Sequence, residues 1–163
     1  MTSPFVLTAT ATAIAAAAVG GLFYAFSTFV MRGLDRTEPI DAIIAMRGLN
    51  AEAQANPPFL MLFVGSALLA LGLGVATVLR LQTPGAAYIL AGSILGVVAF
   101  VVTVAFNIPL NTALDRLDPA TLSAADAARE WQAYVVPWTM WNHVRSVAPI
   151  LASVLILVGV LQR

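Results

Sequence analysis

Residues 57–80 read PPFLMLFVGSALLALGLGVATVLR. No charged side chain occurs between Ala53 and Leu79, and a helix needs about 20 apolar residues to cross the hydrocarbon core of a bilayer. Asn56-Pro57-Pro58 suits a helix start, because proline is tolerated in the first turn, where its missing N–H costs nothing. Arg80 ends the apolar run, and Gln82-Thr83-Pro84-Gly85 reads as a tight turn. This segment is a transmembrane helix, and the rest of the chain repeats its pattern.

Charge is also absent between Thr2 and Met31, between Leu81 and Leu114, and between Ser146 and Gln162. The last stretch reaches spanning length only by starting near Pro137 and including Arg145. Four spans follow, at about residues 4–32, 57–80, 86–111 and 138–161. Ser3 and Pro4 fit the start of the first, which is expected to be retained: it lacks a basic leader region and is too long for a signal-peptide core. Gly20, Gly21, Gly65, Gly72 and Gly74 read as packing glycines. Of 163 residues, 60% are hydrophobic and 10% charged, against about 25% charged in soluble domains. Mean hydropathy is +0.90. A water-soluble domain of this size could not hide so much apolar surface, so membrane lipid must cover it.

The expected architecture is a single all-α transmembrane domain over residues 1–163, a four-helix bundle of up-down-up-down topology. Short amphipathic helices are expected in its two long loops. Thr37–Asn56 reads either as a helix lying at the interface or folded back on the bundle, or as a solvated connector. Ser123 and Asp126 cap a second short helix over residues 124–136, after which Pro137 is expected to reset the chain. Arg32, Arg36, Arg47, Arg116, Arg129 and Arg145 lie at the long-loop end, and Arg80 and Arg163 at the other. By the positive-inside rule the long loops are cytoplasmic.

Eight Arg, no Lys and eight acids give zero formal charge and no basic stripe, so nucleic acid is not an expected partner. The absence of Cys excludes disulfides and thiolate chemistry, and a single His excludes a multi-histidine metal site within one chain. No cofactor or metal is expected. A homo-oligomer is left open.

Three polar groups at the long-loop end carry the chemistry. Asn107 and Asn111 share a helix face, and Pro109 between them leaves the Ala105 carbonyl without its usual donor; they serve either as a site or as helix caps. Trp131, Tyr134, Trp138 and Trp141 form a stripe, as a pocket wall or as an interfacial aromatic belt. Asn142 and Arg145 face one way, whereas His143 diverges by about 100°. Arg145 either faces the bundle interior, with Glu130, Asp115 or Asn side chains as partners, or snorkels to headgroups. His143 is either a general base or an interfacial residue bonded to backbone.

Asn107-Ile108-Pro109-Leu110-Asn111, Trp131-Gln132-Ala133-Tyr134 and Trp138 through Arg145 resemble the anthrone oxygenase-like membrane family. Gly21 through Ser27 and Asn50 also look like its pattern. The resemblance covers nearly the whole chain and is most specific in the second half. Much of that family is bacterial and was first catalogued as a domain of unknown function. It implies a four-helix membrane fold and, for its fungal members, oxidation of an anthrone to an anthraquinone with O2 and no recognised cofactor. If that reaction holds, His143 is the candidate base, Arg145 and Asn142 the candidate anion stabilisers, and Asn107 and Asn111 positioning groups. Trp131, Tyr134 and Trp138 would stack on a flat lipophilic aromatic substrate. The rival class is a non-catalytic membrane protein that binds a lipid, quinone or pigment, or a partner subunit. A transporter is the weaker third reading, since four spans without repeat symmetry make no pathway alone.

Overall fold

The computed structural model describes residues 3–163; Met1 and Thr2 of the expected domain lie outside the described residues. Five helices make up the fold: α1 (Pro4–Leu34), α2 (Pro39–Ala55), α3 (Pro57–Val78), α4 (Ala86–Asp115) and α5 (Ala124–Leu161). All but α2 are long and apolar enough to cross a membrane, with mean hydropathies of 1.8, 2.3, 2.6 and 2.3 over their most apolar windows. Leu7, Ile14, Leu68, Val75, Ile94, Val101, Leu151 and Val154 project outward, a surface that only lipid can cover at low cost. The chain is an integral membrane four-helix bundle.

Local sequence fixes the helix starts. The Ser3 hydroxyl accepts from the Val6 N–H, Asn56 Oδ1 accepts from Phe59 N–H at 3.0 Å, and Ser123 Oγ accepts from Asp126 N–H at 3.1 Å. Each satisfies one of the orphan donors of a first turn. Helix α5 packs along α1 and α4, while α3 packs along α4 and more lightly along α1. The α1–α5 approach needs Gly20: a Cβ there would lie 2.7 Å from Ile150 Cγ1 and 3.2 Å from the Ser146 carbonyl. Gly85, with φ of 75°, turns the chain into α4 against the backbone of Gly159. Gly21, Gly65 and Gly72 face open space rather than a neighbouring helix, so they face lipid and are not packing contacts.

Two features depart from the sequence reading. Pro137 does not reset the chain: α5 runs unbroken for 38 residues through both Pro137 and Pro149. An internal proline costs about 3 kcal/mol. Burial of Trp131, Tyr134 and Trp138 in one core on the flanking turns outweighs that. The segment expected at 124–136 is thus the long-loop-side extension of the fourth span's own helix. Helices α1 and α4 also each contain a π-helical turn, at Phe26–Val30 and Thr103–Asn107, where the backbone bonds run i→i+5. Pro109 follows the second of these.

Helix α2 folds back over the long-loop end. Its Ala42, Ile43 and Met46 are buried with Met31, Leu114, Ala127 and Trp131. Burying Ile43 and Met46 stabilises this docking by roughly 1.5–3 kcal/mol each. The arrangement makes α2 a roof across the bundle mouth.

Candidate functional site

Beneath that roof lies a cavity of about 450 Å³ that touches all five helices. Its walls are Phe23 and Phe26 of α1, Phe59 and Phe63 of α3, and Trp138 of α5, with Leu22, Met46, Leu49, Leu60 and Ile108 between them. Phe59 and Phe63 stack at 5.7 Å with planes 4° apart, and Phe63 meets the Phe23 ring edge-on. The polar lining is Asn50, Thr103, Asn111, Thr112 and Arg145, with Glu52, Gln54, Asn56 and Asp115 at the α2 end.

Arg145 is the deepest charge. It is 6% exposed and points inward, not to headgroups. Its guanidinium carbon lies 3.8 Å from the Phe23 ring centroid and 5.5 Å from that of Trp138. No ion pair among the described residues includes it: Asp115 sits 3.8 Å from Arg47, and Glu130 3.7 Å from Arg129. Its Nε has no hydrogen-bond partner. Cation–π contacts give about 2 kcal/mol when desolvated, whereas an uncompensated buried charge costs several kcal/mol. The aromatic rings therefore do not balance the burial of this charge, and an anionic or carbonyl oxygen would complete the site.

Asn111 is oriented by its neighbours. Trp138 Nε1 and the Tyr134 hydroxyl both donate to its Oδ1 at 2.9 Å. An indole N–H can only donate, which settles which end of the amide is oxygen. The amide nitrogen is then left to the cavity that Asn111 lines. Asn50 from the roof is 6% exposed and its Nδ2 has no partner. Three sets of donors, from Arg145, Asn111 and Asn50, thus face one aromatic-walled space.

The other sequence-nominated residues serve different contacts. Asn142 is fully buried, and its Nδ2 donates at 2.8 Å to the Phe23 carbonyl and to Ser27 Oγ. Phe23, just before the π turn of α1, and Ser27 within it present those acceptors, so Asn142 clips α5 to α1 instead of facing the cavity beside Arg145. Asn107, also fully buried, donates from Nδ2 to the Trp138 carbonyl at 3.3 Å and ties α4 to α5. Trp131 Nε1 donates to Asp35 Oδ1 at 2.8 Å, toward the end of α1. Tyr134 stands behind Asn111, and Trp141 stacks on Phe106 at 3.6 Å. Of the aromatic stripe only Trp138 lines the cavity.

His143 is exposed and lies in a separate outer cleft with Met31, Arg32, Asp35 and Thr139. The divergence of His143 from Arg145 expected from helix angles is seen here: residues two apart on a helix diverge by about 200°, and it is Arg145 that takes the interior side. Residues the sequence reading left out of the site are Phe23, Phe59, Phe63 and Asn50. The Gly21 through Ser27 stretch and Asn50 carried a signal only through the family pattern. Among the described residues no three His, Asp or Glu side chains gather to hold a metal.

The family model described as anthrone oxygenase matches residues 58–155, more than half of the chain. No curated protein and no solved structure matches it.

Proposed function

This chain belongs to the anthrone oxygenase family, and on that premise we propose that it oxidises a flat, lipophilic, ring-fused ketone with O2 inside the aromatic cavity. The observation that carries this reading is Arg145: a buried guanidinium with no protein counter-ion, set between Phe23 and Trp138. Removing a proton from the ring methylene gives an enolate whose charge rests on oxygen, and donors held in place for that oxygen lower the barrier. The anion passes one electron to O2, the ring radical and superoxide join as a ring peroxide anion, and that anion takes up a proton, replacing the one removed, to give the hydroperoxide. Loss of water leaves a second ring carbonyl. Each turnover consumes one O2 and releases one water and one quinone.

The phenyl walls fit a flat apolar body, and the donors of Arg145, Asn111 and Asn50 fit an acceptor edge. The same cavity would also suit a quinone or pigment held without turnover. The position of His143 favours that second reading, since the one imidazole lies outside the cavity. Arg32, Arg36, Arg47, Arg116 and Arg129 at the roof end support an orientation with that end in the cytoplasm of a bacterial inner membrane.

Purified protein in detergent, given anthrone and O2, tests the two readings. Equal consumption of O2 and anthrone with anthraquinone formed, lost in Arg145→Met, is the expected result. Tight binding of anthraquinone with no O2 uptake above the protein-free rate would establish the holding role instead.

A further inference from the structure

We infer that Asp115, not His143, is the catalytic base of this cavity. The inference rests on the oxidation reading above and names the group that accepts the ring proton.

Asp115 ends α4, four residues after Asn111, and both line the cavity. About one turn separates them, roughly 6 Å along the helix axis, so the carboxylate stands on the same face as the fixed amide and nearer the roof. Arg145 lies at the buried end. In a fused-ring ketone whose acidic carbon is across the central ring from the carbonyl, seating the oxygen on Arg145 turns that carbon toward Asp115. The C–H bond then breaks, the proton forms an O–H bond on the Asp115 carboxylate, and the electron pair moves through the ring to the oxygen facing Arg145. A carboxylate can take a carbon-bound proton when donors stabilise the resulting enolate.

The remaining ionisable groups on the cavity fit the role less well. Glu52 already accepts from Asn56 Nδ2 at 3.3 Å. Tyr134 lies behind Asn111, off the cavity lining, and its hydroxyl donates to Asn111 Oδ1. Asp115 has only a long contact to Arg47 at 3.8 Å, because Arg47 is held by the Leu117 carbonyl at 2.9 Å. With its side chain 43% exposed, Asp115 can exchange that proton with bulk water, and the peroxide anion takes a proton back before the turnover closes.

Anaerobic hydrogen–deuterium exchange at the anthrone methylene, followed by NMR in D2O, reads proton removal without oxidation. Wild-type protein should accelerate exchange, and Asp115→Asn should slow it by roughly 10²–10⁴-fold, the range of general-base catalysis. Anthraquinone should still bind Asp115→Asn, and Asp115→Glu should restore part of the exchange. His143→Ala should exchange like wild type. Unchanged exchange in Asp115→Asn would overturn the assignment while leaving the oxidation reading intact. A wild-type protein that binds anthraquinone but accelerates neither exchange nor O2 uptake would overturn both.

Discussion

The guanidinium of Arg145 rests 3.8 Å from the centroid of the Phe23 ring, and the backbone carbonyl of that same Phe23 accepts a 2.8 Å hydrogen bond from Asn142. One residue of α1 therefore forms a wall of the cavity and an anchor for the helix that carries Arg145. The same Asn142 amide also donates to Ser27 Oγ, in the π turn at Phe26–Val30 just beyond it.

Replacing Arg145 by Met should separate function from stability. Removing an unpaired buried charge leaves stability unchanged or raises it by about 1 kcal/mol, as hydrophobic replacement of buried charges often does. Turnover of an anthrone should fall roughly 10²–10³-fold, the cost of losing one preorganised oxyanion donor. Thermal unfolding in detergent and O2 uptake measure the two effects; a large drop in melting temperature would point to a purely structural arginine.

Asn142→Ala should do the opposite. It removes two hydrogen bonds to the Phe23 carbonyl and Ser27, leaving buried acceptors unpaired at a cost of about 1–3 kcal/mol. The melting temperature in detergent should fall, with anthraquinone affinity changed less than in Arg145→Met. A stable Asn142→Ala protein that has lost all ligand affinity would return Asn142 to the ligand.

Asn111→Asp keeps the acceptor for Trp138 Nε1 and the Tyr134 hydroxyl but replaces the amide donors with charge facing Arg145. The fold should persist while an anionic ligand is repelled. Asn111→Leu instead strands both donors and should destabilise by about 1–3 kcal/mol for each. Comparing the two variants by melting and by ligand titration separates packing from recognition.

His143→Ala should leave turnover within about twofold of wild type, a change worth less than 0.5 kcal/mol of transition-state stabilisation. Steady-state O2 uptake checks this, and a loss of tenfold or more would bring the imidazole back into the chemistry.

The spans were legible because charge-free runs of spanning length leave few alternatives once lipid is the solvent. The resemblance carried by residues 107–111, 131–134 and 138–145 pointed to the family that residues 58–155 match. Helical angles already warned that His143 and Asn142 diverge. They could not tell which side is interior, since Arg145 lies close enough to the membrane edge for either outcome. That choice is made by tertiary contacts: the Gly20 approach, the Ser27–Ser146 hydroxyl contact at 3.0 Å and the Asn142 clip turn this face of α5 onto α1. The π turns were illegible for the same reason, as was Asn50, which reaches the cavity only because α2 docks through Ile43 and Met46. Pro137 misled the reading because local propensity yielded to the buried aromatic cluster around it.

The most direct test of Arg145 as the oxygen-holding group is a structure of the protein with anthraquinone bound. The account predicts the flat rings between Phe23, Phe63 and Trp138, with one quinone oxygen at about 2.7–3.2 Å from the Arg145 guanidinium. Ligand seated in the outer cleft beside His143, or an Arg145 side chain turned out to lipid headgroups, would contradict it.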